Sequence, residues 1–456
     1  MKRIQLLVPI LLFCCAIGIA QEAEKKTVTS IYNEALGDRT AYENLRQLCK
    51  TTKGRITGST KADEAVEFTY RLMAAMHLDS VYKQPVMVPR WERGKKESAF
   101  IRSARLGKKG LAVAALGMSV GTGSGGLKAG VVEIGSLSDL EKLGMEQIRG
   151  KIVFFNRPMD PAMVNTFASY GGAADQRTLG AIEAAKFGAS GVMVRSLTTA
   201  LDDFPHTGVL RYTEGVPKIP AVAVSTMGAD LLSQWLQDDP ELSLFIRTEC
   251  HDHGEVGSAN VIGEIKGSLY PDQIITVGGH LDAWDLGEGA HDDGAGCMQS
   301  IEVLRLFKEL GIRPKRTIRA VMFMDEEVAQ RGGAEYARQA ELNGEKHYFA
   351  LESDRGGLLP LAIGISAPAE RLVKMMELKR YFEPYGIRIT EGGGGVDIGP
   401  LKKFGTPLSS LIPDSQRYFD YHHSANDTFD KVNNRELQLG SAAIAALVYL
   451  VDLYDL

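Results

Sequence analysis

Apolar residues recur at helical spacing over residues 27–50 and 61–77, where Leu45, Leu48, Ala65, Phe68, Leu72 and Met73 mark the inward stripe. This pattern predicts helices on either side of a turn-rich loop at 54–60. Near residue 110 the texture changes. Residues 115–130 are rich in Gly, Ser and Thr, and short apolar runs beyond them read as strands at 130–134, 151–155, 191–194 and 220–224. An alanine-rich stretch at 178–187 predicts a helix among them. Short strands with one or two helices describe a compact module of roughly 140 residues. From residue 258 strands and helices alternate. Strands are predicted at 273–278, 317–324, 348–351 and 408–412. Helices are predicted at 294–310, with Ile301, Leu304, Phe307 and Leu310 on one side, and at 441–453. That alternation predicts a doubly wound α/β fold.

A chain of 456 residues exceeds one ordinary core, so two or three domains are expected. The formal net charge of -5 lacks the basic footprint of a nucleic-acid binder, so no such partner is expected. Residues 1–20 stand apart. Lys2 and Arg3 precede an apolar run over 6–16, and Gly18-Ile19-Ala20 has the small-residue character of a signal-peptidase site. The run is short for a bilayer span. Cleavage after Ala20 is expected, leaving an exported protein, periplasmic or secreted, with no membrane span. Beyond the signal, Cys49, Cys250 and Cys297 are odd in number and widely spaced, which fits neither a disulfide framework nor a zinc finger. Cys297 lies in an apolar helical pattern and is expected to be a buried free thiol.

In open α/β sheets, ligands bind beyond the carboxyl ends of the strands. Here one predicted strand runs into Gly279-His280-Leu281-Asp282, a second into Asp325-Glu326-Glu327 and a third into Glu352-Ser353-Asp354. A fourth leads through a loop to Tyr421-His422-His423-Ser424, and Ala290-His291-Asp292-Asp293-Gly294 opens the first helix. Singly, each residue has an ordinary explanation. Most acids are solvated; an Asp ahead of a helix is usually a cap, which would account for Asp292 or Asp293; paired glutamates suit a helix's first turn. Together, that explanation needs five coincidences at strand ends. Zinc takes imidazole nitrogen and carboxylate oxygen, and catalytic sites keep a position open for water. Two ions roughly 3.5–4 Å apart can share one carboxylate and one hydroxide. Asp282 is read as the partner of the other ring nitrogen of His280, and Glu326 as a general base.

These strings, with His423-Ser424-Ala425-Asn426-Asp427-Thr428, resemble the M28 family of cocatalytic zinc aminopeptidases and carboxypeptidases. Val88-Pro89-Arg90-Trp91-Glu92-Arg93-Gly94, Pro205-His206-Thr207-Gly208, Gly215-Val216-Pro217-Lys218-Ile219-Pro220 and Gly279-His280-Leu281-Asp282-Ala283-Trp284-Asp285 resemble a carboxypeptidase branch of it. The resemblance covers nearly all of the mature chain. It implies two zinc ions bridged by Asp292, with His280 and Asp354 on one and Glu327 and His423 on the other. Glu326 would be the base and Asp282 the residue that supports His280. His423 is preferred to His422 because it directly precedes the Ser-x-x-Asp stretch. The implied fold is a doubly wound mixed sheet of the zinc exopeptidase (phosphorylase/hydrolase-like) type. Its layout would be a signal peptide at 1–20, peptidase domain at 21–110, an inserted protease-associated domain at 111–255, and peptidase domain again at 256–456. A homodimer is also implied. The chain departs from the family pattern at His291, where many relatives carry Asn, and at Asp325, where a small or neutral residue is common.

The expected function is hydrolysis of dipeptides or short peptides with free ends. A free carboxylate would be held by backbone N–H groups of residues 392–395, Gly393 and Gly394 above all, in a glycine-rich nest. Asp325 would attract the substrate amine. The alternatives are an aminopeptidase acting on longer peptides, a single-zinc acyltransferase similar to glutaminyl cyclase, and a non-enzymatic binding protein on this fold. His206 is read as a loop residue with a structural or lid role, and His251 and His253 as surface groups.

Overall fold

The structure, a computed structural model, describes the backbone of residues 7–456 and the side chains of residues 22–456. The expected export signal over 1–20 lies outside the residues whose side chains are described. Two eight-stranded sheets organise the chain.

The first sheet follows the order Ser80–Glu92, His251–Ile265, Arg316–Phe323, Tyr270–His280, Lys346–Glu352, Leu408–Pro413, Pro360–Ser366 and Arg388–Glu391. Its four central strands are parallel, and antiparallel pairs flank them, so the sheet is mixed. The central strands are buried on both faces, as crossover connections through helices require. Along Arg316–Phe323, Ile318, Ala320 and Met322 face one core while Val321 and Phe323 face another. The first core is closed by helices Thr40–Thr51, Ala295–Glu309 and Asn434–Leu453, the second by helix Arg331–Asn343. Among the described residues, Asn434–Leu453 is the one helix long and apolar enough to cross a membrane, and most of it is buried in the first core. It begins seven residues before the predicted start because the Asn433 side chain accepts the Glu436 N–H and caps it.

The second sheet runs Gly107–Leu111, Ser98–Ser103, Ser243–Arg247, Leu127–Ile134, Ile152–Phe155, Gly191–Arg195, Ala221–Val224 and Val113–Ala115. It begins at Ser98, ahead of the change in texture near residue 110. The expected helix over 178–187 is two short helices, Asp175–Thr178 and Gly180–Lys186. The chain leaves and rejoins the first sheet on adjacent strands. Ser80–Glu92 pairs antiparallel with His251–Ile265, from Ser80 opposite Glu264 to Glu92 opposite His251. Neither strand shows in the hydropathy pattern; residues 251–255 are exposed, and backbone pairing with Ser80–Glu92 holds them in the sheet.

The two sheets meet through Ile56, Trp91, Ala115, Cys250 and Trp284. Trp91 Nε1 donates to Ser119 O at 3.0 Å, and Arg93 donates twice to the Asp285 carboxylate. The Trp284 ring lies against Gly117, where a Cβ would come within 1.8 Å of it. Cys49, Cys250 and Cys297 are free and buried, and the Cys297 thiol donates to His280 O at 3.0 Å.

Candidate metal centre

The predicted strand ends converge. His280 closes Tyr270–His280 and lies opposite Phe323, so Asp325-Glu326-Glu327 starts alongside it. Gly278 lies opposite Glu352, which brings Asp354 to the same edge. Asp292 comes from the irregular turn Ala290–Gly294 ahead of helix Ala295–Glu309. His423 follows the short helix Tyr418–Tyr421 and adopts a left-handed conformation, φ 59°.

Asp292 stands between the two histidines. Its Oδ1 lies 3.1 Å from His280 Nε2, and its Oδ2 lies 3.4 Å from His423 Nε2. His280 Nε2 is also 3.3 Å from Asp354 Oδ1, and His423 Nε2 is 3.0 Å from Glu327 Oε2. His422 stacks on His423 with ring centroids 3.5 Å apart, but its Nε2 is 3.8 Å from Asp292 Oδ2. The adjacent acids divide the work that either residue alone might have done. Asp293 accepts the N–H groups of Gly296 and His280, so it is the helix cap, and Asp292 faces the centre.

The electrostatics describe a cation site. Burial pushes Glu326 and Glu327 well above the usual carboxylate range; His280 pulls both down, while Asp354 raises Glu326 and Asp292 raises Glu327. Burial also works to raise Asp292, but contacts with His280, His423 and His422 hold it below the ordinary value. Burial opposes a charge on His280, yet Asp354 and Asp292 outweigh it and raise that residue. Among the described residues, buried Asp292 Oδ2 and Glu327 Oε1 have no hydrogen-bond partner. Acceptors crowded against acceptors need positive charge between them. Two imidazoles and three carboxylates form the nitrogen and oxygen donor set that zinc takes.

Supporting contacts orient these groups. His280 Nδ1 donates to the main-chain carbonyl of Asp282 at 2.9 Å, which leaves the Nε2 lone pair directed at Asp292 and Asp354. Asp282 therefore meets the other ring nitrogen through its backbone carbonyl; its carboxylate is 3.9 Å away. It accepts instead the N–H groups of Asp325 at 2.8 Å, Glu326 at 3.1 Å and Glu327 at 3.4 Å, and so holds the loop carrying both glutamates. Asp282→Ala is expected to weaken divalent-cation affinity by about 10- to 100-fold, read by titration against a competing chelator. Unchanged affinity would show that the loop is held by other means.

Three supporting residues escaped the sequence reading. Asp427 accepts the N–H groups of His291 and Asp292, fixing the backbone of the central acid. Fully buried Arg55 donates to the carbonyls of Leu281, Glu288 and Gly289, tying two site loops together. Thr207 comes from the second sheet's side: its N–H donates to His423 O at 2.9 Å, and its carbonyl accepts from His423 Nδ1 at 3.3 Å. Asp427 and Thr207 lie inside strings that carry the family resemblance. Arg55, a lone arginine in a loop, carries no sequence signal.

Other expected residues lie elsewhere. Gly392 and Gly393 line a separate cavity with Ser366 and Lys402. Their N–H groups are already taken, by Ile365 O and Ser366 Oγ, and Gly394 stands beside Leu408. Asp325 is fully buried, with φ 71°. Its carboxylate accepts the Arg331 N–H, so it is turned away from the cleft that Glu326 and Glu327 line. His206 is buried, and burial lowers its pKa to about 4. His251 and His253 are exposed, and His253 pairs with Glu92.

Residues 260–448 match the sequence model of Peptidase family M28. Carboxypeptidase Q of Bos taurus is 34% identical over 423 residues, which cover 92% of this chain and 87% of that protein; carboxypeptidase Q of Homo sapiens gives the same figures. The crystal structure of a peptidase M28 precursor from Shewanella amazonensis superposes with a TM-score of 0.90 at 35% identity, covering 94% of this chain and 97% of that one. A zinc aminopeptidase from Bacillus subtilis shares the fold, with a TM-score of 0.65 at 20% identity over 90% of this chain and 94% of its own.

Proposed function

The chain belongs to peptidase family M28 and is a metallo-exopeptidase, and from that premise we propose that it is an exported two-zinc enzyme that hydrolyses dipeptides and short peptides with free ends. One observation carries the two-metal reading: Asp292 presents one oxygen towards His280 and the other towards His423. His280 and Asp354 would hold one ion, Glu327 and His423 the other, with Asp292 between them. Zinc is the ion suggested by the donor set, and a zinc aminopeptidase has the same fold. When bound, such a pair supplies Lewis acidity, which lowers the pKa of water and polarises a carbonyl.

The chain's own residues do the rest. Glu326 lines the cleft with Asp292, Glu327 and Asp354. It takes the proton of the attacking water and passes it to the leaving amine. Burial raises its proton affinity, which suits a group that must hold a proton and then release it. Asp282 positions it through the loop amides. On this reading residues 111–255 would be a protease-associated domain, and Thr207 would be its contribution to the His423 side of the site. Export after cleavage behind Ala20, and a homodimer, belong to the same reading.

A panel of free dipeptides, longer peptides and end-blocked analogues, with and without chelator, tests the proposal. Free dipeptides are expected to be cleaved, the activity to vanish on chelation and to return with zinc. Cleavage by protein thoroughly stripped of metal would refute the mechanism. A preference for long peptides blocked at the carboxyl end would replace it with an aminopeptidase.

A further inference from the structure

The chain leaves the first sheet after Glu92 and rejoins it at His251, and these two residues lie opposite each other where the edge strands pair. His251 and His253 sit two residues apart on the returning strand. There the ladder is irregular: Pro89 lies opposite Glu255 and Trp91 opposite Asp252, so Arg90 alone spans both His253 and Gly254. A bulge of this kind re-aims a side chain. Gly254 supplies the left-handed residue that it requires, φ 79°, and the Asp252 carboxylate accepts the Gly254 N–H at 2.9 Å, which fixes the turn. His253 is thereby directed at Glu92, with Nε2 3.1 Å from Oε2, and its ring centre lies 6.2 Å from that of His251.

An exposed imidazole–carboxylate pair contributes little by itself, and it does not involve His251. A shared cation does. Two donors each about 2.0–2.1 Å from one tetrahedral zinc lie roughly 3.3 Å apart, close to the separation of His253 Nε2 and Glu92 Oε2. Two imidazoles on one zinc have their centres roughly 5 Å apart. The rings of His251 and His253 reach that spacing by closing about 1 Å, which an exposed side chain does by rotating about its own bonds. Two nitrogens and one oxygen suit zinc and its transition-metal neighbours, whereas calcium and magnesium prefer oxygen alone.

We propose that Glu92, His251 and His253 form a peripheral site for a zinc-type divalent cation, which clamps the two connecting strands together at the root of the second sheet. The ligands come from the last residue before the chain departs and the first residues after it returns, so a bound ion closes the whole intervening stretch into a loop. A metal clip on a long loop removes more freedom from the unfolded chain than one on a short loop. The proposal is independent of how many ions the catalytic cleft holds, because its test counts a difference between proteins.

The holoenzyme is dialysed against free zinc in the micromolar range, and bound ions are counted per chain. His251→Ala/His253→Ala is expected to bind one ion fewer than wild type. His253→Ala alone is expected to weaken that ion by about 100-fold, since it breaks the chelate. Glu92→Gln, which keeps an oxygen but loses the charge, is expected to weaken it by about tenfold. His77→Ala is the control: among the described residues it is the other exposed histidine, and its loss is expected to leave the count unchanged. Zinc is also expected to slow amide hydrogen exchange over residues 251–256 by about tenfold in wild type and not in the double variant. Equal ion counts in wild type and the double variant would overturn the site, as would loss of the same ion in His77→Ala. Displacement of the ion by an equal concentration of calcium would overturn ligation by the imidazoles. An ion that depends on both histidines but leaves the exchange of 251–256 unchanged would overturn the clamp.

Discussion

Glu326→Gln is expected to keep its full complement of metal and to lose about 100- to 10,000-fold in kcat, the range that general acid–base catalysis supplies. The amide has nearly the shape of the carboxylate but cannot take a proton. The loop stays in place because Asp282 holds it through the backbone N–H groups of Asp325, Glu326 and Glu327, which the substitution leaves alone. Neither histidine Nε2 has a short contact with Glu326, whereas both have one with Asp292. Metal analysis beside steady-state kinetics checks the pair of outcomes. Turnover within about threefold of wild type would remove Glu326 from the mechanism, and loss of metal would make it a ligand.

Asp292→Ala is expected to have the larger effect on the centre itself. Because its two oxygens face different histidines, removing it takes a ligand from both ions at once. Bound metal after dialysis is expected to fall below one ion per chain. kcat/KM is expected to fall by about 1000-fold or more, equivalent to roughly 4 kcal/mol of transition-state stabilisation. Asp354→Ala and Glu327→Ala, each next to one histidine, are expected to leave one ion bound. Asp293→Ala supplies the contrast: a helix cap is lost, costing about 1 kcal/mol of stability in a melting experiment. Two ions retained in Asp292→Ala would show that the acid is structural.

The site was legible where chemistry and topology coincide. His280, Glu327 and Asp354 follow directly from parallel strands whose carboxyl ends share an edge, so period and strand position alone bring them together. What stayed hidden depends on side chains reaching between segments. The choice between Asp292 and Asp293 turns on which carboxylate meets the Gly296 N–H. The role of Asp282 turns on which of its oxygens faces the His280 ring, and spacing cannot separate carbonyl from carboxylate. The glycine-rich run looked like an anion nest because four glycines permit that geometry. The N–H groups of Gly392 and Gly393 are spent on Ile365 and Ser366, which no local pattern reveals. The strand His251–Ile265 escaped because it opens on the exposed stretch 251–255, and Ser80–Glu92 because Pro85 and Pro89 interrupt its run.

The double contact between Thr207 and His423 has a consequence for biosynthesis. One imidazole of the centre takes its orientation from a stretch of chain more than two hundred residues earlier, carried on a separately built sheet. A newly made polypeptide that has packed only its first sheet lacks these two hydrogen bonds. Full orientation of this imidazole therefore requires both sheets to be in place.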